Sequence, residues 1–286
     1  MKKLSDKDIY IHLGLPKTGS TYLQREVFPR FDGIHYIKKR HFYNHTGIIS
    51  ASNAQKYLLS HECIIKANTI GLIRDNRRIA ALAENYPEAK IILFFRRHDS
   101  WIKSRYYYYI RKNGYRTFDE FLDINNDNGL LKLEKLEFKR DIALVEDFFT
   151  HKPCILFHEE LIKNPQKVIT YLAQIMGVTF NNKRIPSNPV NVAFNPKQLK
   201  IIRRFNSLFR YRPSKNRYKP IRSIHRNMRK LAIHTIGLLS LGIPDFLFTD
   251  NTPLIPDEKL EQLRKQFDND WHFCLNYAQK QRELFF

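Results

Sequence analysis

The chain has 286 residues, 43% of them hydrophobic, and carries a formal net charge of +21. This length and apolar content suffice for a buried core, so the composition excludes a wholly disordered chain. The three cysteines lack the spacing of metal ligands and are too few for a disulfide framework, so neither a zinc site nor a disulfide-rich fold is indicated. They are Cys63, Cys154 and Cys274.

The sequence predicts a cytoplasmic protein. Its first residues run into a strand-like segment without the apolar core of a signal peptide. No apolar stretch is long enough for a transmembrane helix, except an interrupted one near 231–248.

Most of the net positive charge lies in one part of the chain. Between Leu161 and Pro244 there are 17 lysines and arginines and no acidic residue, and aromatic residues are interspersed between Lys197 and Lys230. Such a pattern is typical of a solvated basic face, and it also suits an acidic substrate or nucleotide, an anionic membrane or single-stranded nucleic acid. We expect no nucleic-acid partner, and we keep peripheral membrane contact through 222–248 as an alternative.

The first predicted strand, 8–13, leads into a glycine-containing loop, Gly14–Thr21, and a helix that begins near Ser20. Backbone N–H groups at a helix start and the positive end of the helix dipole attract anions, and glycines let the backbone approach the ligand. The segment therefore predicts a phosphate-binding loop.

The position of the lysine in this loop differs from that in an ATPase. In the pattern G-x-x-x-x-G-K-S/T the lysine follows the second glycine, whereas here Ser20 follows it and Lys17 comes three residues earlier. The predicted strand 90–95 ends in Arg96-Arg97, where a magnesium-dependent enzyme would place a carboxylate. Both departures favour an anion held by protein cations without a metal.

Two motifs resemble the sulfotransferases that use 3′-phosphoadenosine 5′-phosphosulfate (PAPS). They are P-K-T-G-S-T after the first strand and R-x7-S-x-Y after a later one. The resemblance implies a metal-free enzyme that releases adenosine 3′,5′-bisphosphate, with Arg96 and Ser104 binding the 3′-phosphate. The residues that would bind the 5′-phosphosulfate are Pro16, Lys17, Thr18, Gly19, Ser20 and Thr21.

A further segment, 154–161, is similar to the family's strand followed by Y-E-D/E-L, with His158 replacing the tyrosine. The resemblance also implies catalytic roles for Lys17 and Lys66. Lys17 would stabilise the negative charge that grows on the bridging oxygen, and Lys66 stands at the end of a predicted strand, 62–66. Many relatives carry His or Glu two residues later, where this chain has Asn68, and an amide cannot accept the acceptor's proton.

His41 is the first candidate for the missing base. Glycan-type relatives keep a catalytic glutamate in a K-E-x-x-F-F-like stretch, and here Lys39 or Arg40 takes the glutamate position. Flanking cations would lower the pKa of His41 and favour its proton-accepting form. The alternatives are Glu62, His35 and His12.

Apolar strand-like runs alternate with helical segments up to about residue 180, which predicts an α/β fold. We expect a P-loop-like three-layer sandwich with a central, mainly parallel sheet flanked by helices. Lys17, Lys66 and Arg96 then converge where ligands bind in such sheets, at the carboxyl ends of the strands. The predicted strands are 8–13, 34–37, 62–66, 90–95 and 153–157, and the predicted helices are 20–28, 76–86, 99–112, 134–150 and 165–176.

After about residue 181 the pattern becomes helical, over 195–208, 222–241 and 257–284. We interpret the chain as one domain, 1–286, in which 8–180 form the α/β core and 181–286 form a C-terminal helical extension. The apolar part of the second helix, near 231–241, is expected to be buried; a membrane-docking or dimer surface is the alternative.

The leading hypothesis is a PAPS-dependent O-sulfotransferase that acts on a carbohydrate or glycolipid, including acidic ones. A P-loop nucleotide or small-molecule kinase is the second hypothesis, although the displaced lysine and the arginines at 96–97 oppose it. A third is a non-catalytic module on a degenerate nucleotide-binding fold, which binds nucleic acid or membranes and is compatible with Asn68.

Overall fold

The structure is a computed structural model that describes residues 6–65, 76–181, 194–209, 219–242 and 252–283. Its backbone packing divides into two compact units. The first comprises Met1–Trp101, Glu134–Val190 and Arg264–Phe286, and the second comprises Ile102–Leu133 and Asn191–Leu263. The organisation predicted from sequence, one domain with a helical extension from residue 181, stays a prediction.

The first unit contains a five-stranded sheet with the order β3-β4-β1-β5-β6, in which every neighbouring pair is parallel. Two short strands, β2 and β7, pair antiparallel in a separate ribbon. Helices flank the sheet, which confirms the predicted α/β class. The strands are β1 (Asp8–Gly14), β2 (Phe31–Asp32), β3 (His35–Ile37), β4 (Lys56–Ser60), β5 (Lys90–Phe95), β6 (Cys154–Phe157) and β7 (Thr179–Phe180).

Most helices of the first unit lie in predicted segments, but the helix at His45–Ala51 was not predicted, and the one predicted at 134–150 spans Lys139–Phe148. Helix α1 (Ser20–Tyr22) continues into a π-helical turn, Leu23–Val27, and α4 (His98–Arg111) runs on into the second unit. The others are α2 (His45–Ala51), α3 (Asn76–Asn85), α6 (Lys139–Phe148), α7 (His158–Lys163), α8 (Pro165–Met176) and α12 (Asp268–Glu283).

The central strands are buried on both faces, which explains their nearly continuous apolar sequences. In β1, Ile9 and Ile11 are at most 4% exposed, and β5 is buried from Ile91 to Phe95. On one face, Ile92 and Phe94 join a cluster with the apolar side of α8. The core thus fixes the ends of β1 and β5 side by side.

The predicted strand 62–66 is wrong, because the strand in this part of the chain is β4, at Lys56–Ser60. Its Tyr57 and Leu59 pair in parallel with β1 and are fully buried, whereas 61–65 form a turn. Both runs are short and apolar, and pairing with β1 decides between them. Lys66 and Asn68 lie outside the described residues.

The second unit is helical in its described part. Its helices are α5 (Phe118–Phe121), α9 (Pro196–Leu208), α10 (Lys219–Leu239) and most of α11 (Asp257–Gln266). Thr117 and Glu120 form a capping box at the N-terminus of α5. The helix predicted at 257–284 is divided into α11 and α12. Across the ranges described here, no helix is long and apolar enough to cross a membrane.

Candidate active site

The loop after β1 is held between two neighbouring strands. The Leu15 N–H donates to the Phe94 carbonyl oxygen of β5 at 2.9 Å. On the other side, Gly14 has φ +113°, and a Cβ there would lie 2.4 Å from the Glu62 carbonyl oxygen. Only glycine fits such a close approach. The loop is therefore fixed to β5 on one side and to the turn after β4 on the other.

Hydrogen bonds within the loop use two of its hydroxyl groups. Thr18 Oγ1 donates to the Leu15 carbonyl oxygen at 2.6 Å, and Ser20 Oγ donates to the same oxygen at 3.2 Å. Lys17 adopts positive φ, and so does Gly19, directly before α1. With both hydroxyl hydrogens directed inward, an anion at this helix start would be held by backbone N–H groups and the lysine rather than by these side chains.

Arg96 follows β5 and reaches the same loop. Its Nη1 donates to the Lys17 carbonyl oxygen at 3.4 Å, and its Nε donates to Ser100 Oγ at 3.0 Å. Burial lowers the pKa of Arg96, and the negative charges of Glu159 and Asp99 oppose that effect. Arginine remains cationic in proteins, so a partly desolvated positive charge lies beside the loop.

Trp101 fixes the loop from α4. It is fully buried, and its indole Nε1–H donates to the Pro16 carbonyl oxygen at 2.8 Å. Its ring packs edge-on against Phe138. The sequence motifs pointed to neither Trp101 nor Ser100, which both support residues of the predicted site.

His158 lies behind the glycine that precedes α1. A Cβ at Gly19 would come within 3.5 Å of His158 Nδ1 and 2.8 Å of Leu161 Cδ2. Burial, together with the positive charge of Arg96, lowers the pKa of His158 to about 4. The imidazole is therefore neutral at pH 7, as a tyrosine would be, and adds no charge to the loop.

A second group of polar side chains, here called the Glu62 cluster, lies where β1, β3 and β4 end. It consists of Glu62, Lys39, Gln24, Ser60 and His12. Lys39 Nζ donates to Glu62 Oε1, and Gln24 Nε2 donates to Glu62 Oε2 at 2.8 Å and to Ser60 Oγ at 3.0 Å. His12 Nδ1 lies 2.8 Å from Ser60 Oγ. Because Gly14 packs on the Glu62 backbone, the cluster adjoins the loop.

Glu62 and His12, two members of the Glu62 cluster, have shifted pKa values. Burial would raise the pKa of Glu62, but the hydrogen bonds and charge of Lys39 and the bond from Gln24 outweigh it and lower the pKa to about 2. Burial lowers the pKa of the fully buried His12 to about 4. The cluster therefore contains a carboxylate, an ammonium group and a neutral imidazole at pH 7.

The structure brings some of the predicted site residues together. Lys17 and Arg96 meet at the loop, as described above. His41, in contrast, is exposed on the 3₁₀ turn Lys39–Asn44, where its Nε2 accepts a bond of 2.8 Å from Arg40. Ser104 is half-buried on α4, in the second unit. The catalytic and cofactor-binding roles of all these residues stay predictions.

Sequence reasoning placed Glu62 among the alternatives and did not pair it with Lys39. One signal was available, since Lys39 is, with Arg40, one of the two residues that can take the position that the resemblance assigns to a glutamate. A lysine at that position needs a carboxylate partner if it is to be partly buried. The structure supplies that partner from the turn after β4.

No family model and no curated protein matches the sequence. Among solved structures, a sulfotransferase from Alicyclobacillus acidocaldarius is similar with a TM-score of 0.49 and 14% identity, over 80% of this chain and 96% of that one. Mouse sulfotransferase SULT7A1 complexed with PAP gives 0.43 and 14%, over 98% and 88%. The sulfotransferase domain of the Synechococcus PCC 7002 olefin synthase gives 0.41 and 12%, over 83% and 97%. At these values the similarities do not decide the function.

Proposed function

We propose that the protein is a sulfotransferase that transfers the sulfuryl group of PAPS to a hydroxyl of a carbohydrate or glycolipid. The observation that carries the proposal is the hydrogen bond from Arg96 to the Lys17 backbone. It joins a helix-start loop to an arginine at the end of the adjacent strand, where a metal-dependent enzyme would need a carboxylate. Two fixed cations beside one loop suit a nucleotide with phosphates at both ends of its ribose.

The residues at the site fit this donor chemically. Backbone N–H groups of 17–21 and the Lys17 ammonium group would hold the 5′ end, and Arg96 with Ser104 would hold the 3′-phosphate. A planar, permanently charged guanidinium group is well suited to phosphate, and partial burial strengthens the contact. When bound, PAPS supplies the sulfuryl group, which an acceptor hydroxyl receives in line.

Lys17 and the loop would contribute by stabilising charge. Sulfuryl transfer needs positioning of the reactants and stabilisation of the negative charge that grows on the leaving oxygen. A lysine beside a helix start supplies both from a fixed position. Removing one such interaction typically costs about 3 kcal/mol of barrier, or roughly a hundredfold or more in rate.

For proton removal from the acceptor we propose Glu62 in place of His41. Glu62 lies next to the loop, and its side chain is 17% exposed, which leaves access for a hydroxyl group. Its low pKa arises chiefly from Lys39. If Lys39 turns toward the negative charge of the bound reactants, the cause of the low pKa is removed and Glu62 becomes a stronger base.

Ligand-induced stabilisation tests the donor. Adenosine 3′,5′-bisphosphate should raise the melting temperature with EDTA present, since a ligand that binds only the folded state stabilises it by about 2.7 kcal/mol at a hundred times its Kd. Adenosine 5′-monophosphate, which lacks the 3′-phosphate, should stabilise less. A larger response to ATP with magnesium would instead favour the kinase.

Two variants test the roles of Arg96 and Lys17. Arg96→Ala should weaken adenosine 3′,5′-bisphosphate binding tenfold or more and weaken adenosine 5′-monophosphate binding less, because it also removes the hydrogen bond to the Lys17 backbone, whereas the neighbouring Arg97→Ala should change neither. Lys17→Ala should lower kcat with PAPS about a hundredfold or more, with the exposed Lys163→Ala as control. Full activity in Lys17→Ala would overturn its catalytic assignment, and unchanged nucleotide binding in Arg96→Ala would overturn the assignment of the phosphate site.

A further inference from the structure

Helix α10 presents apolar side chains on two opposite faces. One face packs against α9, where Ile233 is 5% exposed and Gln198 Nε2 donates to the Gly237 carbonyl oxygen at 2.8 Å. The other face is exposed. Its apolar side chains, here called the α10 stripe, are Ile224, Met228, Leu231, Leu238 and Leu239, with exposures between 56% and 68%.

The stripe is continuous along the helix. Positions 224, 228, 231, 235 and 238 are separated by four or three residues, which places them on one side of an α-helix, and the remaining position, Thr235, is exposed and uncharged. Seven of the eleven large apolar side chains exposed in the described residues lie between Leu208 and Leu239. An apolar patch concentrated in this way indicates an interaction surface.

The net charge of the segment that contains the stripe indicates the kind of partner. No acidic residue occurs from Leu161 to Pro244, and the sequences of α9 and α10 are rich in lysine and arginine. A second copy of the chain would bring like charges together, whereas an anionic surface would be attracted.

We propose that the α10 stripe docks on a membrane surface that contains anionic lipid. An amphipathic helix can lie in the interface with its apolar side in the acyl boundary, and anionic headgroups attract the positive charge of the segment 161–244. The helix is held to α9 by its other face, so it can bind without leaving the fold. This inference does not depend on the proposed sulfuryl transfer.

Vesicle co-sedimentation of the full chain tests the proposal. We expect binding to phosphatidylcholine vesicles that contain 30% phosphatidylglycerol, at least tenfold weaker binding to phosphatidylcholine alone, and weaker binding at 0.5 M salt. The double variant Leu231→Asp with Leu238→Asp should bind at least tenfold more weakly. Both positions are exposed, so circular dichroism and the melting temperature should match those of the unmodified protein. The matched control is Ile162→Asp, which alters a side chain that is 69% exposed on α7.

Three results would overturn the proposal. The first is the absence of binding to anionic vesicles, and the second is equal loss of binding in Ile162→Asp and in the double variant. The third is a concentration-dependent dimer, seen by light scattering, that the double variant dissolves while vesicle binding is unchanged, because the stripe would then serve a second copy. The result that supports the proposal is loss of binding in the double variant alone.

Discussion

At the scale of single residues, the site is defined by charges of unexpected sign. Arg96 stands where a metal-dependent P-loop enzyme would have an acid, and Lys39 or Arg40 stands where the resemblance places a glutamate. Two of these basic residues have a defined partner in the structure. Arg96 bonds to the loop backbone, and Lys39 pairs with Glu62 from a different turn. The structure therefore has a positive charge beside the loop and a carboxylate in the turn after β4.

Glu62→Gln tests the role of this carboxylate in catalysis and in stability. We expect kcat to fall by about a hundredfold with adenosine 3′,5′-bisphosphate binding unchanged. The pKa of Glu62 is lowered to about 2 in the folded state. Its contribution to the free energy of unfolding is therefore fully present above pH 5 and is lost as the pH falls toward 2. Above pH 5 it is on the order of 3 kcal/mol. Urea unfolding of both proteins at pH 5, 4 and 3 measures the difference, which should shrink as the pH falls.

The control for this measurement is Glu26→Gln, because Glu26 pairs with Arg30 one helical turn away and both side chains are at least 25% exposed. Such a pair contributes about 1 kcal/mol or less. If activity survives in Glu62→Gln but disappears in His41→Gln, the general base is His41 and not Glu62. A stability difference between Glu62→Gln and the unmodified protein that does not change with pH would contradict the pKa argument.

At the scale of elements, β4 was the one strand of the parallel sheet that the sequence placed incorrectly. The runs Lys56–Ser60 and 62–66 have similar apolar content, so periodicity alone does not separate them. Pairing with β1 favours the first run, since it sets Tyr57 and Leu59 into the core. The second run then forms a turn that brings Glu62 to the loop.

Leu59→Ala tests this placement. Leu59 is fully buried, so the substitution should lower the free energy of unfolding by about 2–5 kcal/mol through lost burial and a cavity. Cys63→Ala, in the turn, should cost less than about 1 kcal/mol, because that side chain is only partly buried. Urea unfolding measures both. A larger decrease in the free energy of unfolding for Cys63→Ala than for Leu59→Ala would favour the predicted strand at 62–66.

At the scale of the whole molecule, the buried His12 and the half-buried His158 make folding sensitive to mild acid. Burial lowers the pKa values of His12 and His158 to about 4, below the usual 6.5. The unfolded chain therefore binds more protons than the folded one between these values. Stability is fully present above pH 6.5 and decreases as the pH falls toward 4, by up to about 3 kcal/mol for each histidine.

This dependence can be measured by urea unfolding at pH 7, 6, 5 and 4.5. His158→Tyr, which introduces a residue that does not titrate in this range, should reduce the loss of stability between pH 6.5 and 4.5. Replacement of the exposed His151 by glutamine should leave the loss unchanged. An identical pH dependence in all three proteins would show that His158 is not buried in its neutral form.

The sequence by itself determined the α/β class, the loop after β1 and most helices, because these depend on local signals: continuous apolar runs, glycines at required positions and the capping box at Thr117. It also determined that Lys17 and Arg96 occupy positions that differ from the pattern of an ATPase. Only the tertiary structure decided which of two apolar runs joined the sheet, and that Glu62, Lys39 and Gln24 meet beside the loop. Those contacts join residues that are distant in the chain, and pairing energies between strands, which no single segment contains, select them.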